Sequence, residues 1–279
     1  MKMQTKASFK KEYLAFFRTK KVFILALVLI GLAVINPLLI TGMSVFMDSF
    51  SEVYAELGVD VSGMTEALSS SVSTGVSTAV SGIAQTGLVV FLIVLNSNAG
   101  GEQKKRSIII PRSTGLRSFS YIFPKFIIYP LAAFVIAVIA TFAAWGVSVF
   151  GFVYNDVSAA GVLLASVLTG VSLMFYVCAH LTIGTATGKA GMSAAVCIVA
   201  SFLLPILLSS MGAGYVYNPF TMHALAGSVV FNSGVSTAQV LEIIITVIIA
   251  LVLMVILYLI ALFAQNAKRI DNSGNETKI

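Results

Sequence analysis

Residues 22–45 form a run of 24 without a charged side chain, and that run sets what the chain can become. At about 1.5 Å per residue, a helix of this length crosses the roughly 30 Å hydrocarbon core of a bilayer. The run is too long for the apolar core of a secretory leader, and no small-residue cleavage pattern follows it. It therefore predicts a retained span. Further apolar runs fall at residues 83–99, 126–150, 159–185, 192–211 and 238–264. Only 10% of the 279 residues are charged, against about 25% in a soluble domain. The predicted fold class is an all-α polytopic membrane protein with six transmembrane helices, one transmembrane domain over 1–279. No run carries Lys, Arg or Asp at its middle, which disfavours an ion pump or a proton-coupled carrier.

The charges give the orientation. With sides alternating from the N-terminus, residues 1–21, 100–125, 186–191 and 265–279 share one side and hold all 17 Lys and Arg. The opposite side holds no base. Asp48, Glu52, Glu56, Asp60, Glu66 and Asp156 lie there, with Glu242 near the outer end of the sixth run. The positive-inside rule then predicts both termini in the cytoplasm of a plasma-membrane protein. The same placement explains the net charge of +6 by topology, without nucleic acid. Cys178 and Cys197 both fall inside apolar runs, where they read as small buried side chains, not a disulfide or zinc framework.

Residues 1–21 hold seven bases and one acid, Glu12. Phe9, Tyr13, Phe16 and Phe17 recur among them at helical spacing, which predicts an amphipathic helix in the interface plane. Asn36-Pro37 is expected to kink the first span, since Pro37 lacks a backbone donor. Residues 46–81 hold five acids and no base. Phe46, Phe50, Val53, Tyr54 and Leu57 share one helical face. Composition alone makes the Ser/Thr-rich run that follows a linker, but Leu68, Val72, Val76, Val80 and Ile83 keep a 4-4-4-3 spacing. That stripe predicts an external helical hairpin between spans one and two, its second arm running into span two.

Motifs for chemistry are sparse. Residues 184–189, GTATGK, lack the earlier Gly of a phosphate loop, where Ile183 stands, and the Ser/Thr after its Lys, where Ala190 stands. No nucleophile elbow or metal spacing is present in the sequence, so the chain is not expected to be an enzyme. His180 reads as a packed helix-terminal histidine, with a proton relay as the alternative. Glu242 reads as a hydrated interfacial carboxylate or as a side chain lining a cavity. Gly184-x-x-x-Gly188 permits close helix packing.

The stretch 100–125, GGEQKKRSIIIPRSTGLRSFSYIFPK, carries one acid and six bases. Burying one Lys or Arg at a span centre costs about 2.5–3.5 kcal/mol, so this stretch stays in water or at the headgroups. Topology needs few bases, and the turn around Lys189 manages with one. The surplus predicts a grip for another protein, with simple attraction to anionic headgroups as the alternative.

Taken together, KASFKKEYLAFFRTKK, the stretch from GGEQKKRS through IIIPRSTGLRS to Pro124-Lys125, the Lys189 turn and YVYNPF at 215–220 resemble the permease subunit of type-2 ABC exporters. The resemblance implies an interfacial N-terminal helix (1–21), an extracellular segment (46–81), a cytoplasmic coupling loop (100–125) and a cytoplasmic tail (265–279). It implies that Glu102, Lys104, Lys105, Arg106, Pro111 and Arg112 meet an ATPase subunit, and that Lys125 opens span three. It further implies two ATPase copies and a second permease subunit, identical or different. ATP and Mg would sit on the partner ATPase, and no cofactor on this chain. Spans one and five would form the seam between permeases, with Gly191, Ser193, Ala194 and Ala195 allowing close approach. The cargo would be an amphipathic or hydrophobic peptide, lipid or drug moved outward. Other classes stay open: a six-helix secondary transporter, which should show an internal repeat and interrupted spans; a membrane-embedded enzyme, which needs a catalytic constellation; and a non-transporting anchor or immunity protein.

Overall fold

Lipid offers the backbone no hydrogen-bond partners, so apolar runs of this length fold as helices. The computed structural model describes residues 2–56, 71–102, 117–152, 154–210, 218–231 and 237–270. Its helices are α1 (Lys2–Arg18), α2 (Lys21–Glu56), α3 (Val72–Gly100), α4 (Ser118–Gly151), α5 (Ala159–Thr187), α6 (Ala190–Ser210), α7 (Met222–Phe231) and α8 (Thr237–Ile270). Six of them, α2 to α6 and α8, contain stretches long and apolar enough to cross a membrane. The chain is a multi-pass membrane protein.

The helices overrun the apolar runs, and this redraws the segments between them. α2 continues past residue 45 to Glu56, through Pro37 without a break. Residues 72–81 run continuously into span two as the start of α3, and the stripe Val72, Val76, Val80, Ile83 faces the protein core; all four are fully buried. Residues 57–70, where the expected hairpin would turn and where Leu57 and Leu68 stand, lie outside the described residues. The expected loop 100–125 is shorter, because Ser118 to Lys125 form the first turns of α4. α8 runs on to Ile270, into the expected tail. In each case the backbone keeps its helical hydrogen bonds beyond the apolar stretch, where hydropathy alone gives no boundary.

α5 is the central helix: 72% of its apolar window is buried, against 22% for α2, 17% for α6 and 22% for α8. Small residues make this possible. A methyl at Gly184 would lie 2.7 Å from Ala99 Cβ and 2.8 Å from the Ala99 backbone, so α3 and α5 touch backbone to backbone there. Gly188, at φ 69°, ends α5 in the left-handed region, and α6 begins two residues later. α7 is too short to span. It packs between α3 and α5, with Met222, Ala226, Val229 and Val230 buried. Asn218 starts this segment by accepting from the Phe220 amide at 2.9 Å. The exposed faces of α2, α6 and α8 are lined by Leu, Ile, Val and Phe, the surface that lipid requires.

One feature of α3 interrupts its regularity. Ile83–Gly87 and Ser97–Gly101 are π-helical turns. The first falls at mid-span and leaves Gln85 and Thr86 exposed among apolar neighbours. Beside it, the Asn36 amide of α2 fills the space over Gly82, 2.2 Å from where a methyl would stand.

Candidate functional site: a charge cluster at the basic end

The basic ends of α1, α3 and α4 meet. α1 lies along the first turns of α4: Thr5 Oγ1 is 3.1 Å from Ser120 Oγ, the Phe9 and Phe123 rings are 5.8 Å apart, and those of Phe16 and Tyr129 are 5.4 Å apart. Positions 5, 9, 12 and 16 form one stripe of α1, and the residue facing Lys125 on it is Glu12. Of the aromatics at helical spacing, Phe9 and Phe16 face α4, while Tyr13 and Phe17 stay exposed.

Lys125 is the hub. Its Nζ donates to Glu102 Oε2 at 2.7 Å, to the Tyr121 hydroxyl at 3.1 Å and to the Asn98 carbonyl at 3.1 Å; Glu12 Oε1 is 3.9 Å away. The Tyr121 hydroxyl donates in turn to Glu102 Oε2 at 2.7 Å. Lys11 closes the exposed side at 3.2 Å from Glu102 Oε1. Tyr129 donates to Glu12 Oε2 at 2.6 Å and accepts from the Asn98 amide, whose Oδ1 accepts from Lys21. Lys125, Glu12 and Tyr129 are 3%, 2% and 0% exposed. Charges so deep persist only when paired and hydrogen-bonded. Burial acts to raise the Glu102 carboxyl, but the charge and hydrogen bond of Lys125, the Tyr121 hydroxyl and Lys11 outweigh it and hold the group down at about 2.

This arrangement fixes Glu102, at the end of α3, to both α4 and α1. Removing one partner of a buried ion pair typically costs about 3–5 kcal/mol, because the other is left uncompensated. The cluster is therefore stiff: it resists separation of α1, α3 and α4 and carries a displacement of one to the others.

Glu102 is thus an internal ion-pair partner. Lys104, Lys105, Arg106, Pro111 and Arg112 lie outside the described residues. Glu242 is half-buried near the start of α8, where its carbonyl accepts from Thr246, and it is not part of the cluster. His180 is fully buried, and Ser193 Oγ of α6 lies 2.6 Å from both its Nδ1 and its carbonyl, a helix-to-helix contact. At the opposite end, Asp156 accepts from the Ser73 amide at 2.9 Å and the Ser73 hydroxyl at 2.5 Å, which ties the α4–α5 turn to the start of α3. Its carboxyl lies below the usual range: burial raises it, and the bonds from Ser73 prevail.

Sequence reasoning missed Glu12, Asn98, Tyr121 and Tyr129, and placed Lys125 only as the start of a span. Two signals were present. Glu12 and Glu102 are each the lone acid of a basic segment, and Tyr121, Lys125 and Tyr129 repeat every four residues on one helical face. No family model, curated protein or solved structure matches the chain.

Proposed function

We propose that the chain is the permease subunit of an ATP-driven exporter, embedded in the plasma membrane with both termini cytoplasmic. A separate ATPase subunit, in two copies, supplies the energy, and a second permease subunit completes the pathway. The chain itself is not an enzyme; ATP and Mg belong to the partner. The cargo is amphipathic or hydrophobic. The observation that carries this reading is the cluster around Lys125, because a loop meant to receive force must be anchored to the rods it moves. Glu102 is anchored to α4 through Lys125 and Tyr121, and to α1 through Lys11. A displacement of the segment that follows Glu102 reaches the basic ends of α1, α3 and α4 together. Gln85 and Thr86 add support. Polar side chains exposed at the middle of a span are at odds with lipid and suit a pathway or a subunit seam.

Affinity purification of the tagged protein from its native membrane tests the reading. An ATPase should co-purify. Replacing Lys104, Lys105 and Arg106 together by Gln should release it. Glu102→Gln should instead keep it bound while lowering substrate-stimulated ATP hydrolysis. Recovery of the intact protein without any ATPase would sink the proposal.

A further inference from the structure

The stripe of α1 beside the one docked on α4 is also organised. It consists of Lys6, Lys10, Tyr13 and Phe17, spaced 4-3-4, and all four are exposed. Lys6 and Lys10 make no ion pair with a described residue. The only acid of α1, Glu12, is turned inward and held by Tyr129. The Tyr13 and Phe17 rings lie 4.5 Å apart, tilted by 40°, and Phe17 meets Phe23 of α2 edge-on at 6.4 Å. The ridge continues at Leu27, four residues further along α2; Phe23 is 62% exposed and Leu27 75%.

The order along this ridge is cation, aromatic, aliphatic. It begins at the basic end and runs into the span. An anionic phospholipid has the matching order: phosphate, glycerol–ester interface, acyl chain. Tyr and Trp settle at that interface, and bases near an anionic leaflet are attracted to it. Lys10 to Arg18 and Lys21 to Leu27 rise about 12 Å and about 9 Å, each along its own helix, at about 1.5 Å per residue.

We propose that this ridge binds an anionic phospholipid from the leaflet on the basic side, with its headgroup at Lys6 and Lys10 and an acyl chain along Tyr13, Phe17, Phe23 and Leu27. The lipid holds the outer face of α1 while α4 holds the inner one, so leaflet charge acts on the helix that also carries Glu12 and Lys11. The proposal needs no ATPase and stands or falls separately from the exporter reading.

Native mass spectrometry of the purified full-length protein tests it, with phosphatidylglycerol and phosphatidylcholine as probes. The wild type should retain phosphatidylglycerol in preference. Lys6→Gln with Lys10→Gln should reduce that preference by about 25-fold, since each base contributes about fivefold at an anionic surface. Lys189→Gln, which removes an exposed base at another turn on the same side, should leave it unchanged. Equal retention of the two lipids by the wild type would overturn the proposal. So would equal losses in the Lys6/Lys10 and Lys189 variants, which would mean charge attraction without a site. The changed side chains are exposed, and an unchanged melting temperature confirms that each variant is folded.

Discussion

Glu102 carries a testable consequence of its surroundings. Its carboxyl sits at about 2 in the folded protein, against an ordinary 4.5. A lowered carboxyl contributes stability that is fully present above the ordinary value and is lost as pH falls toward the folded one. That window runs from about 4.5 down to about 2. Thermal melting of the purified protein should therefore fall steeply as pH is lowered through this window. Glu102→Gln should melt lower at neutral pH and show a shallower acid limb. Superimposable pH profiles for the two proteins would mean that the Lys125 pair contributes nothing to folding. Acid protonation of this carboxylate frees Lys125 of its closest partner, so the same treatment should loosen the end of α3 from α4 first.

At the scale of the helix, the tightest contact is the crossing of α3 and α5. Gly184→Ala would push a methyl against the Ala99 backbone, which cannot rotate away, so helix displacement is the remaining response. Overpacking of this kind typically costs about 1–3 kcal/mol. A lowered melting temperature, with the far-ultraviolet helical signal retained, is the expected outcome; a variant as stable as the wild type would show that the crossing is loose. This contact was half legible beforehand. Gly184 and Gly188 stand four apart, which marks a close approach, but not with which helix, because the Ala99–Gly100 partner lies more than 80 residues earlier. The spans were legible because hydropathy is local and additive along the chain. The Lys125 cluster was not, because its members lie on three helices and their pairing depends on helix lengths beyond the apolar runs. The aromatic spacing on α1 was read correctly as helical. Whether a given ring faces protein or surroundings depends on where α4 lies, and this separated Phe9 and Phe16 from Tyr13 and Phe17.

For the whole molecule, alternating six spans along the sequence puts all 17 bases on one side, and this makes a topology prediction. Asn155 and Lys189 are exposed in turns at opposite ends of α5, and the native Cys178 and Cys197 are buried. A membrane-impermeant thiol reagent added to intact cells should label Asn155→Cys and spare Lys189→Cys; the reverse pattern would invert the orientation. Across the membrane the two ends of α3 also have to agree. A regular α-helix turns about 100° per residue, and on that spacing the face set by Val72, Val76, Val80 and Ile83 would next reach positions 87, 90 and 94. The buried apolar side chains are instead Leu88, Phe91, Leu92 and Leu95. The π turn at Ile83–Gly87 absorbs the difference: it accommodates one residue more than the α-helical count, and both halves of the span then face the same core. The surplus residue has to point somewhere else, and the exposed pair Gln85–Thr86 is where it emerges. Chain length, more than side-chain identity, is therefore the quantity held constant at that point: one residue fewer would give a seamless rod with no polar break, and one residue more anywhere else in α3 would turn half of its core face outward.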